Sequence, residues 1–128
     1  MARVKVNLDV VVTLGIKPVS NNKIHSGRRY KTTEAKDFEN VINILLSTYA
    51  RDIKLPETGD LELITRVYVS RKMDTSNCLK LLEDCIARYF GINDRRFAGH
   101  RISRIVVKPG NEKIKFKIQE YDDKYYEL

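Results

Sequence analysis

Two aspartates and one lysine are the residues of this sequence best suited to chemistry. Asp74 follows a basic segment, Lys80 lies six residues later, and Asp94 follows the glycine that ends the next amphipathic stretch. Carboxylates are ligands for Mg²⁺, which can neutralise phosphate oxygens and activate water. A neighbouring lysine can stabilise negative charge that develops on a phosphate. In a basic chain, these residue types indicate a metal held against a nucleic-acid backbone.

The amphipathic stretch after Asp74 has a polar flank as well as an apolar one. At 100° per residue, Lys80, Glu83 and Asp84 lie on this polar flank, away from the apolar stripe. The alternative interpretation is a solvated helix face with ordinary Lys80–Glu83 and Lys80–Asp84 pairs. The sequence does not show whether Asp74 and Asp94 meet, because a loop must fold back to bring them together.

The size and charge of the chain narrow the classes of protein to consider. Its 128 residues fit one domain, spanning residues 1–128, and 24 Lys and Arg against 17 Asp and Glu give a net charge of +7. Such a balance favours polyanionic partners. No apolar run approaches the roughly 20 residues of a membrane span, and the N-terminus lacks a secretory pattern. We therefore expect a cytoplasmic protein, or one in the host cytoplasm if the source is viral, and no membrane partner.

Two periodicities predict the secondary structure. Alternating apolar and polar residues predict strands, and apolar residues at a spacing of three and four predict helices. The loop over residues 15–33 is polar, and residues 109–111, Pro-Gly-Asn, indicate a hairpin turn. The predicted elements are a strand over residues 3–14, a helix over 33–50, a strand over 61–70, a helix that starts at residues 74–76 and ends before Gly91, and strands over 101–108 and 113–119.

These elements predict an α+β fold in the order β-α-β-α-β-β. Two helices would pack on one face of a small mixed four-stranded sheet, since that arrangement uses all the apolar faces. Cys78 and Cys85 fit the core better than a disulfide or a zinc site. The opposite face of the sheet would stay in water or meet a partner, and an RNA-binding module that uses this face is an alternative function. The basic residues predicted there are Lys5, Arg66, Lys113, Lys115 and Lys117.

Three segments together resemble the RusA family of Holliday junction resolvases over about residues 4–120. Residues 18–22, Pro-Val-Ser-Asn-Asn, are similar to the family's loop after the first strand. Residues 71–80, Arg-Lys-Met-Asp-Thr-Ser-Asn-Cys-Leu-Lys, are similar to its basic run followed by Asp-x-Asp-Asn-x-x-Lys. Residues 93–97, Asn-Asp-Arg-Arg-Phe, are similar to the segment that follows its helix. Each motif is weak alone, but their order and spacing agree.

The resemblance implies a homodimeric, magnesium-dependent endodeoxyribonuclease that acts in DNA recombination and repair. Such an enzyme binds four-way junctions and resolves them by paired strand nicking. By position, Asp74, Asp94 and Lys80 match the family's catalytic residues, and Asp74 and Asp94 match metal ligands. Asn77 matches the motif asparagine that follows the aspartates.

The sequence departs from the family at Ser76, where the family has a second aspartate. Three interpretations follow. Asp74 and Asp94 could suffice with water and phosphate oxygens, or Glu83 or Asp84 could replace the missing carboxylate. Alternatively, the chain is a weak or inactive relative that still binds junctions.

Basic and amide side chains on either side of these residues are candidates for DNA contacts. Such contacts to phosphates would recognise the shape of the DNA more than its base sequence. The candidates are Asn21, Asn22, Lys23, Arg28, Arg29, Lys31, Arg71, Lys72, Asn77, Arg95 and Arg96.

Overall fold

The computed structural model describes residues 10–18, 25–26, 30–31, 33–72 and 76–127, without the side chains at 25–26, 30–31 and 76–77. The predicted first strand is therefore seen only in its last residues. No helix within these ranges is long and apolar enough to cross a membrane. The helices are α1, Thr33–Tyr49, and α2, Ser76–Phe90; the strands are β1, Val12–Leu14, β2, His25–Ser26, β3, Tyr30–Lys31, β4, Leu61–Val69, β5, Phe97–Val106, and β6, Lys113–Glu120.

A four-stranded mixed sheet with two helices forms the fold, so the predicted α+β class and element order are confirmed. The strand order is β1-β6-β4-β5. β4 pairs in parallel with β5 and antiparallel with β6, while β1 pairs antiparallel with β6. The central strand is thus β4, which has a hydrogen-bonded neighbour on each side.

The helices pack on one face of the sheet through apolar side chains at helical spacing. Phe38, Ile42 and Leu46 of α1 are buried in the same core as Leu82 and Ile86 of α2. On the sheet, the inward residues are the alternate positions of β4 and β6, as the period of two predicts. Cys78 and Cys85 are buried thiols, as expected for small core residues.

Two apolar residues of α1 that lie at helical spacing do not belong to the core. Val41 and Tyr49 are 41% and 58% exposed. The sheet covers only a narrow strip of the helix, which the buried residues Ala35, Phe38, Ile42 and Leu46 fill. Apolar positions at the edge of that strip remain in contact with water.

The predicted connection between the last two strands is also corrected. The turn at Gly110 exists, with a φ of 94° and a bond from Asn111 N to Lys108 O of 3.1 Å. However, β5 and β6 do not form a hairpin, because both pair with β4 and lie on opposite sides of it. The connection crosses the end of β4, where Val107 N donates to Val69 O at 2.7 Å.

A predicted loop and a predicted strand boundary also differ from the structure. The loop over residues 15–33 contains a short antiparallel ribbon formed by β2 and β3. β5 begins at Phe97, four residues before the predicted start at residue 101. The register of the β4–β5 ladder shifts between Leu61 and Glu62 of β4, so that β5 carries one extra residue at that point. This bulge interrupts the alternation on which the sequence-based boundary depended.

A C-terminal turn, Asp123–Tyr126, covers one end of the sheet face opposite the helices. Glu62 of β4 lies beneath it and is 1% exposed. Its carboxylate accepts hydrogen bonds from Gln119 and from the hydroxyl of Tyr126, and it pairs with Arg101 at 3.3 Å. Gly99 makes room for this contact, because a Cβ there would lie 2.7 Å from the Tyr126 hydroxyl. A buried charge is tolerated when it is fully hydrogen-bonded in this way.

We predict that Tyr126→Phe lowers the free energy of unfolding by about 1–3 kcal/mol, because it removes one donor from a buried carboxylate. Denaturant melts at neutral pH measure the change. Tyr125→Phe is the matched control, since Tyr125 is 68% exposed and its ring contact with Arg101 survives. The control should stay within about 0.5 kcal/mol of the parent. Equal stability of the two variants would contradict this role of the Tyr126 hydroxyl.

Candidate active site

The end of α2 and the turn after it fix the position of Asp94. Gly91 has a φ of 66°, the left-handed conformation that commonly ends a helix, and Ile92 N donates to Ala87 O at 3.0 Å. Asn93 then caps the short Asp94–Arg96 turn by accepting a bond from Arg95 N at 2.9 Å. The chain therefore turns back beside α2 within a few residues.

Arg96 ties this turn to the loop that precedes β4. Its guanidinium donates to Pro56 O at 2.8 Å and to Gly59 O at 3.0 Å. The side chain is half-buried. These bonds give Arg96 a structural role in holding the turn that carries Asp94, a role the sequence did not reveal.

Lys80 and Asp94 meet in space, although they are 14 residues apart. The Lys80 ammonium lies 3.3 Å from Oδ2 of Asp94 and 3.5 Å from Oδ1 of Asp84. The hydrogen bond to Asp94, followed by the charge of Asp84, raises the pKa of Lys80 above its ordinary value of 10.5. Lys80 is therefore a cation throughout the neutral range, positioned between two carboxylates.

A second pair extends this cluster towards the sheet. Nε2 of His100 lies 3.2 Å from Oε1 of Glu83, whose side chain is only 12% exposed. Glu83 is next to Asp84 on α2, and His100 lies on β5 opposite Leu63. Helical spacing predicted Glu83 beside Lys80, but it gave His100 no place in the site. The parallel pairing of β4 with β5 places His100 beside α2, and that pairing cannot be deduced from a sequence pattern.

The cluster offers oxygen donors of the type that Mg²⁺ prefers. Asp84 and Asp94 both lie within reach of one ammonium nitrogen, so rotation of the side chains could let them share a cation with Lys80 displaced. Within the described ranges, no group of three or more His, Cys, Asp or Glu is already arranged to hold a metal. Asp74 lies outside those ranges, as do the side chains of Ser76 and Asn77. Asp84 and Asp94 supply only two carboxylates, so a metal held between them would need at least one further ligand.

The structure describes only some of the remaining predicted DNA contacts. Arg71 and Lys72 are exposed immediately after β4, on the approach to α2, and Arg95 is exposed beside Asp94. Lys31 lies on β3 and Asn77 lies in the first turn of α2, with no side chain described for either. The predicted contacts outside the described residues are Asn21, Asn22, Lys23, Arg28 and Arg29.

Comparisons with known proteins leave the family open. No family model matches this chain, and no curated protein matches it.

We predict that Asp94→Asn lowers the pKa of Lys80 towards the ordinary lysine value, because the largest contribution to the shift is removed. NMR titration of the lysine side chains at alkaline pH measures it. The charge contribution of this pair is present at neutral pH and is lost as the pH rises through the Lys80 pKa. Glu57→Gln, at an exposed loop position, is the control and should leave the titration unchanged. An unchanged Lys80 titration in Asp94→Asn would show that the two groups do not interact in solution.

Proposed function

We propose that this chain is a RusA-like, magnesium-dependent endodeoxyribonuclease that binds four-way DNA junctions and resolves them by paired strand nicking. The observation that carries the proposal is the contact between Lys80 and Asp94. Two residues that match separate motifs of one family are neighbours in the fold, as a shared active site requires. The net charge of +7 suits a DNA substrate.

The roles of the side chains follow from their chemistry. Asp74 and Asp94, with Asp84 as a further donor, would hold Mg²⁺, which supplies charge neutralisation and an activated water when bound. Lys80 stays protonated, so it is suited to stabilising charge on the phosphate rather than to accepting a proton. Displacing Lys80 from Asp94 frees the ammonium for the substrate and the carboxylate for the metal.

His100 is suited to moving a proton near this site. An imidazole ring has two nitrogens, so one can exchange a proton while the other is held by a partner. Glu83 holds the imidazole at Nε2. The cluster thus combines one cation, three carboxylates and an oriented imidazole.

Paired nicking requires two active sites, so we propose a homodimer in solution. We also propose a cytoplasmic location, or the host cytoplasm if the source is viral. The homodimer and the location are parts of the nuclease proposal.

A second candidate function is a junction-binding protein with little or no cleavage. The feature that favours it is Ser76, because a hydroxyl is a poorer ligand for Mg²⁺ than the carboxylate found at this position in the family. Lys80 already pairs with Asp84 and Asp94 and offsets part of their negative charge without a metal.

We predict magnesium-dependent nicking of a synthetic four-way junction by the purified protein, measured by denaturing electrophoresis during a magnesium titration. Asp74→Asn and Asp94→Asn should each reduce the rate by about 100-fold or more, since each removes charge from the metal site. Junction binding without divalent cations should persist in both variants. Glu57→Gln is the control for the loss of one carboxylate. Nicking by either aspartate variant at the rate of the parent would remove that residue from the site.

Ser76→Asp distinguishes the two candidate functions. If the parent nicks weakly, we expect this variant to raise the rate by about tenfold or more, because it restores a carboxylate ligand. Ser76→Asn is the matched control, since it adds similar bulk without the charge. Efficient nicking by the parent would instead rule out the binding-only function. No nicking by either protein at any magnesium concentration would rule out the nuclease.

A further inference from the structure

The sheet face opposite the helices carries a basic patch, which we define as Arg66, Lys113, Lys115 and Lys117. The antiparallel register of β4 and β6 places Arg66 opposite Lys115 and Ile64 opposite Lys117, with Lys113 opposite Tyr68. Directly paired residues of an antiparallel sheet lie on the same face. Two like charges opposite each other destabilise a sheet, so this arrangement has a cost in stability.

No carboxylate neutralises the basic patch among the described residues. None of its four cations takes part in an ion pair within those ranges. The carboxylate that β4 presents to the same face is Glu62, which is buried and already bound to Gln119, Tyr126 and Arg101. With respect to the described residues, the positive charge of the patch is uncompensated, which suits an anionic partner.

An aromatic ring lies against three of the four cations of the basic patch. The ring centre of Tyr68 is 4.9 Å from Nζ of Lys113, 5.7 Å from Nζ of Lys115 and 6.0 Å from Cζ of Arg66. Tyr68 is half-buried, so part of the ring meets solvent. A ring among cations can stack on a nucleobase while its neighbours contact the phosphates on either side.

The spacing of the three lysines fits a nucleic-acid strand. They occupy alternate positions of β6, so successive lysines are about 7 Å apart along the strand. That separation is close to the distance between successive phosphates in an extended single strand. A duplex presents its bases inside the stack, where Tyr68 on a flat sheet cannot reach them.

We propose that this face binds single-stranded DNA, with phosphates on the basic patch and one base against Tyr68. The footprint is short, because the C-terminal turn covers the other end of the face and engages Arg101. As part of the proposed function, the occupant would be an unpaired strand at a branch point. The binding itself depends only on the charges and the ring described above.

The test is fluorescence anisotropy with a labelled oligothymidine over a series of salt concentrations. The triple variant Lys113→Gln, Lys115→Gln and Lys117→Gln should bind more weakly, and the slope of log K against log salt should fall by about 0.7 for each phosphate that the variant no longer binds. The matched control is Lys36→Gln, Arg51→Gln and Lys54→Gln, which removes the same charge from exposed positions elsewhere. Lys124 is left unchanged in this control, because it lies in the turn over the same face. The control should keep the slope of the parent. Equal weakening of binding in the two triple variants would overturn the proposal.

The aromatic contact has its own variants. Tyr68→Ala should weaken oligothymidine binding by roughly 10- to 100-fold, as expected for the loss of one stacked base, whereas Tyr68→Phe should bind like the parent. Thermal melts establish that each variant is folded, and removal of the like-charge pair should leave the lysine variant at least as stable as the parent. Tighter binding of duplex DNA or of RNA than of oligothymidine, with no effect of Tyr68→Ala, would contradict the proposal.

Two outcomes separate the strand-binding surface from the nuclease activity. If the parent nicks junctions but the patch variant binds oligothymidine like its control, the sheet face is not a strand-binding surface and the nuclease stands. If the parent binds oligothymidine through the patch but never nicks, the surface stands and the nuclease does not.

Discussion

Everything in this fold depends on β4 having a partner on each side. Its parallel pairing with β5 and antiparallel pairing with β6 determine which residues face the helices and which face away. The same register brings His100 next to α2 and places Arg66 opposite Lys115. A slip of one residue in either ladder would turn the core residues outward and separate both groups. The candidate active site and the basic patch therefore share one structural cause, although they lie on opposite sides of the sheet.

The two sides of β4 use electrostatics differently. Around Lys80, opposite charges neutralise each other at the surface, where a single ion pair adds little to stability. Such a cluster can be rearranged at small cost when a metal or phosphate arrives. The basic patch instead keeps like charges together without compensation. Beneath the C-terminal turn, Glu62 is buried and hydrogen-bonded. That end of the sheet is therefore less adaptable than the Lys80 cluster or the basic patch.

The sequence predicted the features that depend on hydrophobic periodicity and on the chemistry of neighbouring residues. The core positions of β4 and β6, the end of α2 at Gly91 and the polar flank with Lys80 follow from spacing alone. The motifs assigned Lys80 and Asp94 to one site; the two side chains are in contact, while the role of that site stays a prediction. Features that depend on strand order were missed: the bulge at the start of β5, the crossing of β4 by the last connection, and the pairing of Glu83 with His100. The burial of Glu62 was missed for the same reason, since a glutamate at an outward position becomes buried only when a distant turn covers it.

The turn Asp123–Tyr126 links the central strand to a segment far away in sequence. The hydroxyl of Tyr126 completes the shell around the Glu62 carboxylate. Displacing this turn from the sheet would admit water to Glu62 and release Arg101 from its aromatic cover. Any event that pulls the turn away would therefore expose a carboxylate of the strand on which the whole sheet is built.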